Sequence, residues 1–190
     1  MEVDIEAALP KLKKQGRLHA LRHISRLGRI TYDALRFEGD RSIKSNVIAR
    51  YLSAEAQVQE SESSSFAIIP ANYKFKYKGQ FDVDGRPVHM FQLTPRKKRL
   101  GLFKGELWLD AETCLPIRES GRLVKTPSIF LKRIEFVREY EIRDGISVPR
   151  RIHSIVETRL VGKAELTVNF RNILLLEAAP GPVAALAGQR

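Results

Sequence analysis

The residues best suited to chemistry or binding are a run of four bases, Arg96, Lys97, Lys98 and Arg99. Several converging positive charges bind the phosphates of lipid headgroups or of nucleic acid, so the run predicts an anion-binding site. The competing interpretation is a solvated hairpin turn whose charges only keep the protein soluble.

The histidines and the single cysteine give no metal or redox site. His19 and His23 are four residues apart, a spacing compatible with two metal ligands on a helix, but no HExxH motif accompanies them. They are therefore interpreted as surface residues. His89 and His153 lie on separate predicted strands. Cys114 has no second cysteine, which excludes an internal disulfide and a cysteine-cluster metal site. The sequence predicts no cofactor.

Motifs of catalysis are missing from the sequence. It contains no GxSxG, no glycine-rich phosphate loop and no Cys–His pairing signal, and we expect a protein that is not an enzyme. The formal net charge of +11 and the pI of about 10.0 indicate affinity for something anionic. That partner is nucleic acid, a phospholipid surface or an acidic protein.

The elements that must position these residues are mostly strands. Tyr73, Phe75 and Tyr77 alternate with lysines, which is typical of a half-buried strand. Asp84-Gly85 and Asp144-Gly145 are tight-turn signals, and a further turn is expected at Ser120-Gly121. The other strands are predicted over Val88–Thr94, Phe103–Asp110, Ile117–Val124, Phe130–Ile142, Val148–Leu160 and Ala164–Phe170.

Helices are expected before this meander. Residues 5–27 are predicted to be helical, because Leu9, Leu12, Leu21, Ile24 and Leu27 fit one face, although Pro10 and Gly16 allow two pieces. This basic helix either packs on the sheet or lies on an anionic membrane.

A first strand is expected over Ile30–Phe37, followed by a helix over 42–57 with Asp40 or Ser42 as its cap. The apolar face of that helix comprises Ile43, Val47, Ile48, Tyr51 and Leu52. A strand over Val47–Leu52 is the alternative.

Together these elements predict an α+β fold in which about seven to ten antiparallel strands curve into an unclosed half β-barrel. The N-terminal helices would pack on its concave side. A single domain is expected over 1–176, with a polar loop at Gln59–Ser65 and a flexible tail over 177–190.

Four segments resemble the outer-membrane lipoprotein-sorting superfamily (LolA/LolB-like), which includes the N-terminal domain of the periplasmic stress sensor RseB. They are Tyr73–Gly79, Asp84–Leu93, Gly105–Pro116 and Phe136–Pro149. They match a glycine before an apolar-Trp-apolar-Asp strand, a turn with Thr and Pro, and an aromatic strand that ends in Asp-Gly and Pro. The resemblance extends over roughly Phe66–Phe170.

The resemblance implies a cell-envelope carrier or sensor whose apolar concavity binds lipid or the acyl chains of a lipoprotein. The N-terminal residues lack the apolar segment of a signal peptide, and we expect one to have been removed. The residues expected to line the cavity are Tyr73, Phe75, Tyr77, Phe91, Trp108, Phe130, Ile134, Phe136, Tyr140, Leu166, Val168 and Phe170. The aromatic ones equally fit an ordinary core, and Trp108 belongs either at the cavity mouth or on the outer face.

Two other functions fit the same residues. One is an interaction module that docks an acidic protein through the basic surface. The other, nucleic-acid binding, requires exposed aromatics beside Arg96–Arg99, because stacking needs open ring faces.

Overall fold

The computed structural model describes residues 1–25, 30–60 and 67–174. Ten antiparallel strands form one sheet in the order β3-β2-β1-β10-β9-β8-β7-β6-β5-β4. The strands are β1 (Glu2–Leu9), β2 (Lys14–Ile24), β3 (Ile30–Gly39), β4 (Tyr73–Val83), β5 (Arg86–Pro95), β6 (Phe103–Asp110), β7 (Pro116–Leu123), β8 (Leu131–Arg143), β9 (Ile146–Thr158) and β10 (Lys163–Arg171).

The sheet is an unclosed half-barrel, as predicted. Each of β4 to β9 pairs with the next strand in sequence, and β10 then pairs with β1. The outermost strands, β3 and β4, are not paired with each other. The chain between them contains a helical segment, residues 41–60, which packs on one face of the sheet. That face is called the concave face below.

The prediction of a helix over residues 5–27 is wrong. Residues 2–9 and 14–24 are instead the hairpin strands β1 and β2, joined by a short 3₁₀ turn that contains Pro10. The side chains of Val3, Ile5 and Ala7 alternate with polar ones and are buried, which is the period of a strand. The leucine spacing fitted a helix only because it ran across the turn. Leu27 lies outside the described residues.

The second predicted helix is confirmed. It consists of α1 (Arg41–Ile43), a π-helical turn (Lys44–Ile48) and α2 (Ala49–Glu60). Asp40 caps it, because its Oδ1 accepts hydrogen bonds from the backbone N and Oγ of Ser42 at 2.7 and 2.5 Å. The alternative strand over Val47–Leu52 is wrong. The predicted apolar face packs on the sheet in full.

The turns at Asp84-Gly85 and Asp144-Gly145 are confirmed, whereas the turn at Ser120-Gly121 is wrong. Gly121 lies inside β7, directly opposite Gly105 of β6. A Cβ on Gly105 would stand 1.9 Å from the carbonyl oxygen of Ser120. Gly105 is therefore required by the close approach of two strands, not by a reversal of the chain.

Two predicted segments lie wholly or mostly outside the described residues: the polar loop Gln59–Ser65 and the tail 177–190. The boundary of the domain at residue 176 stays a prediction for the same reason. Among the helices that the structure describes, none has the length and apolar character needed to cross a membrane.

Candidate functional site

The concave face is organised by a row of directly opposed residues that crosses all ten strands. Eight of its ten members are apolar or aromatic, and the other two are a glutamate and an arginine at its centre. From β4 to β3 the row contains Tyr77, Phe91, Leu107, Glu119, Arg138, Ile152, Val168, Ile5, Leu18 and Phe37. The charged pair therefore separates two apolar stretches of the same face.

The stretch over β10, β1 and β2 is called the covered half, because the helical segment lies on it. Ile43 and Ile48 are buried there against the strands. Three of the residues predicted to line a cavity, Leu166, Val168 and Phe170, belong to this packed core. Their neighbours are protein side chains, and the helix already occupies the space above them.

The stretch over β4, β5 and β6 is called the open half. The side chains of Phe75 and Tyr77 point to the concave face and are 38% and 52% exposed, and Phe91 is half-buried beside them. The rings of Tyr77 and Phe91 lie 5.2 Å apart between centroids. These three aromatics form an apolar strip that faces solvent.

One end of the open half is filled. Tyr73 is fully buried, its ring lies 5.7 Å from that of Phe103, and its Oη accepts a hydrogen bond of 3.2 Å from the backbone N of Phe103. Phe103 in turn contacts Phe136, at 5.0 Å between centroids. Leu102 completes this small core. Tyr73 and Phe136, both predicted as cavity residues, therefore have structural roles.

Trp108 does not line the concavity. It pairs with Met90 and Arg118 on the convex face, and its ring lies 5.9 Å from that of Phe81. Its indole Nε1 donates a hydrogen bond of 3.1 Å to Glu106 Oε2. Of the two positions expected for Trp108 this is the outer face, and the alternation of β6 explains it, since Leu107 and Leu109 take the concave positions.

Among the remaining predicted residues, Phe130 lies in the loop before β8 and is exposed. Ile134 is on the concave side of β8, in register with Val156. Tyr140 lies beside Glu119 and Arg138. The predicted site is thus divided among the open half, the covered core, a loop and the opposite face.

The charged pair at the centre of the row was missed by the sequence analysis. Arg138 Nη1 donates a hydrogen bond of 3.2 Å to Glu119 Oε2. The Arg138 guanidinium also stacks 4.6 Å from the Phe136 ring centroid. Burial lowers the pKa of Arg138, but the Glu119 carboxylate raises it, and the net shift is upward. Its side chain is still 43% exposed, so the concavity admits water at this point.

A second polar cluster joins the helix to β2 and β3. Arg22 donates hydrogen bonds through Nη2 to Glu55 Oε1 at 2.8 Å and through Nε to Tyr32 Oη at 3.1 Å. Tyr32 donates its own hydroxyl proton to the other oxygen of Glu55. Arg22 is buried. Its burial is tolerated because Glu55 neutralises its charge and the two side chains accept its hydrogen bonds. This cluster fixes α2 on the covered half.

The phenols near these clusters are poor acids. Burial, reinforced by the Glu55 carboxylate, raises the pKa of both Tyr32 and Tyr51, and burial and Glu119 raise the pKa of Tyr140. Such phenols stay protonated at neutral pH and donate hydrogen bonds without acting as bases.

The basic run is exposed in the turn between β5 and β6. Arg96 Nε donates a hydrogen bond of 2.7 Å to the carbonyl of Pro70. A depression of about 80 Å³ adjoins the run and is lined by Arg96, Lys97, Arg99, Leu102, Ala71 and Asn72. Three of the four bases therefore converge on one small concavity.

The histidines lie on strands. His19 Nδ1 is 3.2 Å from Asp4 Oδ1, and His23 Nε2 is 3.1 Å from Asp33 Oδ2. The helical spacing that suggested a metal site does not apply on β2. Across the part of the chain that the structure describes, no group of three or more His, Cys, Asp or Glu residues is arranged to hold a metal ion.

Comparison with known proteins finds similarity to solved structures. They include a DUF1329 family protein from Desulfovibrio piger (16% identity, TM-score 0.42, covering 90% of this chain and 82% of that one). A LolA superfamily protein from Nitrosomonas europaea is 15% identical (TM-score 0.40, 91% and 86% covered). The Pseudomonas aeruginosa MucA/MucB complex gives 14% identity (TM-score 0.27, 88% and 87% covered). No protein-family model and no curated protein matches the chain.

Proposed function

We propose that this protein is a non-enzymatic carrier or sensor of the cell envelope that binds a lipid or a lipoprotein acyl chain in the open half of its concave face. The observation that carries the proposal is the exposed strip of Phe75, Tyr77 and Phe91. A water-exposed row of aromatics on the inner side of a half-barrel is stabilised when an apolar ligand covers it. Each methylene buried there contributes about 0.8 kcal/mol.

The charged pair supports an amphipathic ligand over a purely apolar one. Glu119 and Arg138 lie directly beyond Leu107 in the row, where the concavity still admits water. An acyl chain on the aromatic strip would place its polar end either at this pair or at the mouth of the concavity. Both positions keep the polar atoms hydrated or hydrogen-bonded.

Nucleic-acid binding is disfavoured by the arrangement of charge around the aromatics. Phe75 and Tyr77 point to the concave face, and Lys74 and Lys76 between them point to the convex one. A nucleic-acid strand stacked on the rings would have these lysines on the far side of the sheet. A protein that stacks nucleic-acid bases needs the aromatic rings and the positive charges on the same surface.

The first experiment is native mass spectrometry of the purified protein, followed by organic extraction and identification of the bound lipid. We expect near-stoichiometric lipid on the wild type and its loss from Tyr77→Glu, which puts a charge in the aromatic strip. Phe81→Glu is the matched control, since Phe81 is a comparably exposed aromatic of the same strand that contacts Trp108 on the convex face.

A clean apo mass, with no uptake of added phosphatidylglycerol or palmitate, would refute the proposal. Equal loss of lipid from both variants would also refute it, because the binding would then not depend on the concave face.

The basic run is assigned to the anionic headgroups of a membrane surface from which such a ligand is taken or to which it is delivered. Binding to vesicles that contain phosphatidylglycerol should fall in Lys97→Glu/Lys98→Glu, whereas binding to phosphatidylcholine vesicles should stay weak in both proteins. If this variant bound the anionic vesicles as well as the wild type does, the run would be a turn whose charges only keep the protein soluble.

A further inference from the structure

Strand β4 ends the sheet, and its outer backbone groups can be identified from one hydrogen bond. The backbone N of Arg96 donates to the carbonyl of Asn72 at 2.8 Å, and these two residues lie one position beyond Tyr73 and Pro95, the first pair of the β4–β5 ladder. In an antiparallel ladder the residues that exchange hydrogen bonds alternate with those that do not. The N–H and C=O of Phe75 and Tyr77 therefore point away from β5, toward the side of β4 on which none of the described strands pairs.

The side chains of this edge have a regular pattern of charge. Lys74 and Lys76 are exposed on the convex side, and Phe75 and Tyr77 are exposed on the concave side. Within the described part of the chain, neither lysine forms an ion pair. The edge is thus a positively charged surface on one side and an apolar surface on the other.

The opposite edge of the sheet, β3, differs. Arg36 and Glu38 on that strand form an ion pair of 2.7 Å, and Asp33 lies 3.1 Å from His23 of β2, so each charged side chain of β3 has a partner. Lysines on an edge strand normally prevent association with another strand. Here they prevent association with a second copy in particular, because an antiparallel β4–β4 pair would oppose lysines to lysines.

We infer that β4 binds an extended segment of a partner protein in which acidic and apolar residues alternate, and that this segment adds to the sheet as an eleventh strand. Its backbone pairs with the outward N–H and C=O of Phe75 and Tyr77. Its acidic side chains lie beside Lys74 and Lys76, and its apolar ones extend the concave face. The irregularity between Tyr77 and Gly79 limits the paired length to about five residues, roughly 17 Å.

This surface is independent of the proposed lipid function, because it depends on the backbone and on the convex lysines. The probe is an acetylated, fluorescein-labelled heptapeptide in which glutamate and valine alternate, and binding is measured by fluorescence anisotropy. We expect saturable binding to the full chain. No binding to the wild type at low salt would overturn the inference.

The decisive comparison uses methylated peptides. In the proposed register the valine N–H groups face β4 and the glutamate N–H groups face solvent. N-methylation of the valines should abolish binding, and the same number of methyl groups on the glutamates should preserve it. Equal binding of the two methylated peptides would overturn strand addition.

Protein variants test the same geometry from the other side. Lys74→Glu/Lys76→Glu should weaken binding by about tenfold or more, since two attractive cross-strand pairs become repulsive. The control Lys132→Glu/Lys163→Glu makes the same change of charge on the internal strands β8 and β10. An equal loss in that control would show a diffuse charge effect and contradict the inference.

A proline substitution separates the edge backbone from the side chain. Phe75→Pro removes the ring together with the outward N–H, a loss that edge strands tolerate, and Phe75→Ala removes the ring while keeping that N–H. Binding should be lost in Phe75→Pro and retained in Phe75→Ala. Thermal unfolding of both variants verifies that they are folded, and retained binding in a folded Phe75→Pro would contradict the inference.

Discussion

The two halves of the concave face have the same apolar register and opposite environments. In the covered half, Ile5, Leu18 and Val168 lie under the helical segment and are buried. In the open half, the same row carries Tyr77, which is 52% exposed, and Phe91, which is half-buried. The sheet therefore presents a single apolar surface, of which the protein covers one part with its own helix.

This contrast identifies the residues that can bind a ligand without a rearrangement of the protein. Covered-half side chains already have partners, so a ligand there would have to displace the helix together with the Arg22–Glu55 ion pair. Open-half aromatics have no such competitor among the described residues. Within the row of opposed residues, the members in the covered half are the aliphatic Val168, Ile5 and Leu18, whereas the open half contributes the aromatic Tyr77 and Phe91.

The largest expected effect compares one residue of each half. Ile48→Ala should lower the free energy of unfolding by about 2–5 kcal/mol, because it leaves a cavity in a packed core. Phe75→Ala should lower it less, by about 1 kcal/mol, because the ring is 38% exposed and leaves no enclosed cavity. Urea unfolding of both variants, free of ligand, measures the difference.

A large loss of stability in Phe75→Ala would contradict the division of the concave face into two halves. It would mean that the aromatic strip packs against protein, as the covered half does. Val161 contacts the edge of the covered core, so Val161→Ala provides an intermediate reference.

The next effect concerns the ligand. A lipid that binds only the folded state should raise the free energy of unfolding by about 2.7 kcal/mol when its free concentration is a hundred times its dissociation constant. The increase should disappear in Tyr77→Glu and persist in Phe81→Glu. Calorimetric scans with and without palmitate in excess measure it, and an increase that survives in Tyr77→Glu would place the ligand elsewhere.

A smaller effect is expected at the boundary between the halves. Glu119→Gln leaves Arg138 without its carboxylate and should cost about 1–2 kcal/mol, less than for a fully buried pair because the guanidinium is partly hydrated. Glu135→Gln is the control, since the Arg133–Glu135 pair lies within one strand and both side chains are more than 40% exposed. It should cost at most about 0.5 kcal/mol. A loss of 3–5 kcal/mol in Glu119→Gln would show that the boundary is as dry as the covered core.

The sequence predicted most of the sheet because its strands carry strong local signals. The alternation from Tyr73 to Tyr77 and the Asp-Gly turns at 84 and 144 are determined by neighbouring residues alone. The prediction of the first hairpin failed for a physical reason. Ala7, Gly16 and Ala20 are small, so the alternation of apolar and polar side chains in β1 and β2 was weaker than the helical spacing of the leucines.

The candidate site was less predictable, because it depends on register between distant strands. Trp108 and Leu107 are adjacent in sequence and on opposite faces, and only the pairing with β5 shows which one faces inward. Arg138 and Glu119 are 19 residues apart and looked like ordinary surface charges. One signal of this pair was available in the sequence. Arg138 lies between Phe136 and Tyr140, where the alternation of the strand places a side chain that faces inward.

The smallest expected effect is the pH dependence of the helix that distinguishes the two halves. Hydrogen bonds from the side chain and the backbone of Ser42 lower the pKa of Asp40 below its usual 3.8. A group whose pKa is depressed by folding contributes stability in full above its unfolded pKa, and this contribution is lost as the pH falls through the folded value. We therefore expect acidification below about pH 4 to reduce the helical signal in circular dichroism of the wild type, and Asp40→Asn to weaken that dependence.

Asp110 provides the matched control for this titration in the open half. The backbone N–H and hydroxyl of Thr113 lower the pKa of Asp110 in the β6–β7 turn as those of Ser42 lower that of Asp40. Because Asp110 supports a turn and no helix, Asp110→Asn should leave the acid-dependent loss of helical signal unchanged. If both variants altered that signal equally, the helix and the open half would unfold as one cooperative unit. The stability of the open half would then depend on the helix that lies on the covered half.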